Sequence, residues 1–152
     1  MASQNRFSSM ADCKKSKVQQ WMDLPAELQE SVCTVLQITI DESEQISSVT
    51  CLMYDGCCLK VNSVYVLHVV EEERVPVFLD IKKIICLRGM WLACGMLLVP
   101  QVFERKYHAF AVDQRGDWLV VNPMQLADHT QQDVFTIAEQ HYVSLRYAVI
   151  GP

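Results

Sequence analysis

Hydrophobic positions change their period once along this chain. Between residues 24 and 37, Leu28, Val32, Val35 and Leu36 recur at spacings that share one helical face, Pro25 suits a first turn, and Glu27 and Glu30 favour the N-terminal end. This predicts one short amphipathic helix near the start of the fold, entered through Trp21. Beyond Gln45 the period becomes two, with β-branched and aromatic residues in short runs between turn signals. The pattern predicts strands over residues 48–54, 57–61, 64–70, 77–87, 91–99, 107–112, 117–121 and 141–149.

The turn residues fix where those strands reverse. Asp55 and Gly56 supply the positive φ values of a two-residue hairpin, residues 71–74 form a charged loop, and Pro76 breaks the ladder before the next strand. Arg88 with Gly89 makes a further turn, and residues 113–116 predict a hairpin with Gly116 in the left-handed position. Asn122 and Pro123 open a single helical turn. Short, numerous strands without crossover helices favour a small barrel or sandwich over a parallel sheet. Residues 1–16 are polar and lack apolar periodicity, which predicts a disordered leader; residues 17–44 read as helix and linker packed on a β-barrel domain of residues 45–152.

A length of 152 residues supports one core, and 51% hydrophobic against 20% charged residues is the composition of a folded protein. Seven cysteines are an odd number at irregular spacing, and no signal-type apolar segment opens the chain, so a reducing compartment is expected, nuclear or cytoplasmic. Cys57 and Cys58 would point to opposite faces of a strand, while Cys33, Cys51, Cys86 and Cys94 fit as small buried side chains. The longest apolar run, residues 90–100, is interrupted by Gly95 and falls short of the roughly 20 residues a membrane helix needs. Net charge is -5, and without the basic first twenty residues the remainder holds 9 basic against 17 acidic side chains. An acidic body repels phosphate backbones at long range, so nucleic-acid binding would need a local basic face.

Phe78, Ile81 and Ile84, then Tyr107, His108, Ala109, Phe110 and Val112, then Tyr142, Val143, Leu145, Arg146 and Tyr147 carry a resemblance across residues 49–149. The pattern resembles the C-terminal domain of uncharacterised, mobile-element-associated vertebrate proteins. That group brings no assigned activity. It implies a short, separately encoded version of a domain found at the end of longer chains.

Candidate chemistry is sparse. His108, in a predicted strand opposite Tyr107 and Ala109, would serve as a ligand or acid-base group, but no second catalytic residue stands at a motif-like spacing. His129 falls in a polar loop. The cysteine pairs at residues 57 and 58 and at 86 and 94 do not have zinc-ligand spacing, no Gly-rich phosphate loop is present, and Glu71, Glu72 and Glu73 read as a solvated tip. No catalytic residue, metal or cofactor is therefore expected. What remains is binding. Tyr54, Tyr107, His108 and Trp118 form a candidate aromatic surface, and Lys82, Lys83, Arg88, Arg105 and Lys106 a candidate basic face.

The expectation is a mainly β protein, a small antiparallel barrel of the SH3, Tudor or BAH type with one short N-terminal helix. Its expected function is a non-enzymatic interaction module for a protein or peptide, with no membrane span. The rivals are a nucleic-acid or chromatin module derived from a mobile element, and a hydrolase built on a Cys-His pair.

Overall fold

The computed structural model describes residues 16–54 and 57–144. The chain enters as strand β1, Lys17–Gln20, turns through a 3-10 segment at Trp21–Asp23, and forms helix α1, Ala26–Leu36, the one α-helix among the described residues. The helix was expected to open the fold; instead it follows a strand that belongs to the sheet. Gln37 ends it in the left-handed conformation at φ 54°. Leu28 and Val32 are buried under the helix with Trp21 and Leu24, against Ile46, Ile85 and Leu92 of the sheet. Val35, placed on that face by spacing, is 52% exposed.

Nine more strands follow among the described residues: β2 Gln45–Val49, β3 Cys51–Tyr54, β4 Cys57–Lys60, β5 Ser63–Val70, β6 Val75–Leu87, β7 Met90–Glu104, β8 Ala109–Val121, β9 Asp133–Ile137 and β10 Gln140–Ser144. The main sheet is antiparallel in the order β1, β2, β6, β7, β8, β10, β9. Strand β5 also pairs with β6, along residues 75–81, while β2 pairs with residues 84–86 further up the same strand. Between them β3 and β4 form a separate hairpin.

The sheet curls because its long central strands carry bulges, which raise the local twist. One face then closes on Val64, Val66, Phe78, Leu98, Phe110, Val112 and Val143, drawn from five strands. The rims approach where the Gln132 N–H donates to the Val64 carbonyl at 2.8 Å and the Ala127 N–H to the Val66 carbonyl at 3.0 Å. The architecture is thus a curled antiparallel half-barrel where a barrel was expected.

The bulge in β6 has a second effect. Ile81 faces Gly95 and Lys83 faces Cys94, so Lys82 is an extra residue and the alternation inverts across it. Leu79 and Ile81 before the bulge share a cluster with Ile84 after it. Lys82 and Lys83 consequently fall on one and the same face.

Three sequence readings are corrected here. Residues 113–116 are no hairpin: β8 runs unbroken through them, bulged between the pairs Leu98 with Gln114 and Met96 with Trp118. Gly116 accordingly does not adopt a positive φ. The real reversal is at residues 105–108, closed by N–H donation from Tyr107 to Glu104 and from His108 to Arg105, so Tyr107 and His108 lie in a turn and not in a strand. Finally, Pro76 sits inside β6 opposite Val69, on the stretch that β7 does not reach. The expected leader, the Asp55 and Gly56 turn and the end of the last expected strand lie outside the described residues.

The reduced-cysteine reading also changes. Met53 pairs with Cys58 and Cys51 with Lys60, so Cys51 and Cys58 are diagonal on one face of the β3–β4 hairpin, and a disulfide joins them. Their Cα atoms are 6.2 Å apart, within the usual bridging range. Cys33, Cys86 and Cys94 are free. Burial pushes the Cys94 thiol up to about 12, with Lys83 opposing the shift, and burial raises Cys86 as well. Neither thiol is therefore activated as a nucleophile.

On the other face of that hairpin, Leu52 and Leu59 are fully buried beside Tyr65. The Tyr65 hydroxyl accepts from the Lys60 N–H at 2.8 Å and donates to the Cys58 carbonyl at 3.2 Å, tying the hairpin to β5. Tyr65→Phe leaves both backbone groups without this partner. We expect it to cost about 2 kcal/mol in urea denaturation; a cost near zero would mean the hairpin is not held there.

Strands β9 and β10 are joined by Ala138 at φ 50° and Glu139 at φ 67°, a two-residue turn made without glycine or asparagine. Both residues pay for the left-handed region. The double substitution Ala138→Asn with Glu139→Gly should stabilise the protein by about 1 kcal/mol, read as a higher Tm.

Candidate functional site

Four strands build the wall in question. In register, Val102 of β7 faces Ala111 of β8, Ala111 faces Tyr142 of β10, and Tyr142 faces Phe135 of β9. The adjacent row, Phe103, Phe110, Val143 and Val134, contains the Phe110 and Val143 side chains that fill the half-barrel, so the first row points to the outside. On that outer face the Phe135 and Tyr142 rings stack at 5.3 Å with an interplanar angle of 16°. Tyr107 leans edge-on from the 105–108 turn, 5.2 Å from Tyr142 and 6.1 Å from Phe135. Lys106 Nζ stands 5.5 Å from the Tyr107 ring centre, within cation-π range.

All three rings are half-buried, and Ala111, opposite Tyr142 in the register, is buried. Val102, at one end of the row, is 54% exposed, and Ile137, two residues along β9 from Phe135, is 38% exposed. The result is an apolar stripe across four strands, with its aromatic centre packed into one geometry. The rings touch one another too closely to leave a cage for a cation between them. They offer edges and faces to a partner surface.

The sequence-predicted residues are dispersed. Tyr107 belongs to this cluster. His108 stands beside it, exposed at φ 50°, its carbonyl accepting from Ser144 Oγ at 3.4 Å. Trp118 pairs with Met96, eight residues along β7 from Glu104, which separates it from the 105–108 turn by about 26 Å of strand. It lines a different groove, about 580 Å³, between β8 and α1, with Glu27, Glu30, Ser31, Thr34 and Asp117 among its walls. The Tyr54 side chain lies outside the described residues.

The five basic residues are likewise divided. Arg88, at the β6–β7 turn, is paired with Glu44 at 3.0 Å, whereas Arg105 and Lys106 sit beyond the opposite end of the 15-residue strand β7. Lys82 and Lys83 form a separate pair from Arg105 and Lys106. With Lys17 they line a hollow of about 230 Å³ beside Ser48 and Thr50, and Lys82 is bonded to Asp80 at 2.9 Å. His129, in its loop, bonds the Pro123 carbonyl through Nε2 at 2.9 Å, so that nitrogen carries its proton.

Phe135 and Tyr142 escaped selection as site residues. Strand β9 had not been expected at all, and without it Tyr142 reads as core. The run of strand-favouring residues Val134, Phe135, Thr136 and Ile137 was the available signal. No family model, no curated protein and no solved structure matches the chain.

Proposed function

We propose that the chain is a non-enzymatic interaction module, of the SH3, Tudor or BAH kind in architecture, whose outer wall of β7, β8, β10 and β9 binds a protein or peptide. The supporting observation is the Tyr107, Phe135 and Tyr142 cluster, half-exposed at the centre of an apolar stripe. Rings already locked against each other lose little side-chain entropy when covered, and aromatic residues supply much of the affinity of protein interfaces. A nuclear or cytoplasmic setting and descent from a mobile-element domain are part of the same proposal.

A photo-reactive residue in place of Val102 should capture one dominant protein in cells, and the same residue in place of exposed Glu42 should not. Adding Tyr107→Ser should abolish the capture while leaving the Tm within about 3 °C. Equal capture from both positions would contradict the reading.

The rival nucleic-acid or chromatin reading is favoured by one observation, the three lysines around the hollow of β1, β2 and β6. It requires salt-dependent binding of DNA or RNA that falls when Lys82 and Lys83 become glutamine. Absence of binding at low salt removes it.

A further inference from the structure

Two lysines adjacent in sequence share one face of β6 because Lys82 is the extra residue of the bulge, and bulges commonly re-aim side chains at binding sites. Strand β1 brings a third. Lys17 faces Ser48 in the register of β1 with β2, and β2 sets Val49 against Ile84, so the end of β2 leads toward Lys83. All three lysines line the hollow of about 230 Å³, together with Ser48, Thr50 and Val61.

The positive charge there is only partly answered. Lys82 is bonded to Asp80, whose side chain is 15% exposed, whereas Lys17 and Lys83 have no ion pair among the described residues. Across the ladder Lys83 faces Cys94, a buried thiol that stays protonated. No carboxylate lines the hollow among the described residues, so three lysines against Asp80 leave a surplus of two positive charges. Beyond those residues the sequence holds Asp12 and Asp55 against Arg6, Lys14, Lys15 and Arg146. That part of the chain adds more positive charge than it removes.

A phosphate monoester carries about -1.5 to -2 at pH 7, which matches the surplus, whereas each phosphodiester of a nucleic-acid backbone carries about -1. A nucleic acid also needs a track of cations, yet Arg88 is paired with Glu44, and Arg105 and Lys106 lie beyond the far end of β7. After the first twenty residues, 9 basic against 17 acidic side chains repel a polyanion or an anionic bilayer. One phosphate on an otherwise neutral peptide escapes that repulsion.

Resting on the proposal that the chain binds proteins, but at a place apart from the aromatic wall, we infer that the hollow of β1, β2 and β6 receives a phosphorylated serine or threonine of a partner. Lys17 and Lys83 hold the phosphate, and Lys82 is shared between it and Asp80.

The test titrates the isotope-labelled full-length chain with a glycine and serine peptide bearing one phosphothreonine, and with the same peptide bearing glutamate at that position. The phosphopeptide should bind at least about tenfold more tightly, shifting the amide signals of residues 17, 48, 50, 82 and 83. Lys17→Gln with Lys83→Gln should weaken it at least about tenfold, and Arg115→Gln, at an exposed position on β8, should leave it unchanged. Asp80→Asn should strengthen it about threefold by releasing Lys82, a gain that a merely damaged fold cannot give. Equal affinity for the two peptides, shifts elsewhere on the chain, or a loss on Asp80→Asn overturns the inference. So does tighter binding of single-stranded DNA, or of vesicles containing a phosphatidylinositol phosphate, at the same residues. If capture from Val102 persists while the phosphopeptide fails, only the hollow's assignment falls; if the phosphopeptide binds while Val102 captures nothing, the hollow stands and the wall does not.

Discussion

Gly95→Ala should lower the Tm by about 10 °C, a loss of about 3 kcal/mol, and it is the smallest change in the chain expected to do so much. Gly95 lies where β6 bulges against β7. A methyl group built on it runs into the Asp80 carbonyl oxygen, comes within 2.8 Å of the carbonyl carbon and stands 3.0 Å from Ile81 Cα. All three obstacles are backbone held in the ladder, so relief requires moving a strand and cannot come from a rotamer. Gly116→Ala is the matched control: nothing lies within 4 Å of its added carbon, its φ is not positive, and the cost should stay within about 0.5 kcal/mol. Equal effects at both glycines would show that the bulge is not packed as described.

Removing the ring of Phe78 should cost about 4 kcal/mol. Its side chain is fully buried at the centre of the half-barrel, 6.3 Å from Phe110 and clustered with Val64, Val66, Leu98 and Val143. These neighbours come from four other strands and from both sides of the curl, so no single local shift refills the space. Phe103→Ala removes the same ring from a side chain 43% exposed at the mouth and should cost less than about 1.5 kcal/mol. Urea denaturation of the two variants measures the difference. A Phe78→Ala protein as stable as Phe103→Ala would contradict a packed interior.

How far the sequence could be read depended on how locally each feature is encoded. The charged loop at residues 71–74 and the turn at Arg88 and Gly89 were legible because a run of charges interrupts the apolar pattern and Gly89 accepts a positive φ without cost. Residues 113–116 are likewise polar and end in Arg-Gly, yet pairing with the long strand β7 kept β8 extended and turned the polar stretch into a bulge. The true reversal at residues 105–108 contains neither Gly nor Pro, so composition could not reveal it. Strand β9 was hidden similarly, its turn being Ala138 and Glu139. Inversion of side-chain parity at Lys82 depends wholly on the register with β7.

The disulfide is a different case. The register of β3 with β4, in which Tyr54 faces Cys57, sets Cys51 and Cys58 diagonally on one face, and the odd number and irregular spacing of the cysteines carry no sign of that pairing. Of the candidate site, Tyr107 was legible as a candidate binding aromatic, although it was read as part of a strand and lies in a turn. Its partners were not, since a site shared by a turn and two strands exists only after the sheet has curled.

Hydroxyl-radical footprinting of the native protein, resolved by residue, addresses the outward aromatic wall most directly. Tyr107, Phe135 and Tyr142 should be oxidised readily, and Tyr65, Phe78 and Phe110 should be protected until the chain unfolds. Protection of the first three together with oxidation of Phe78 or Phe110 would mean that the sheet curls the other way, and that the face assigned to partners is its core.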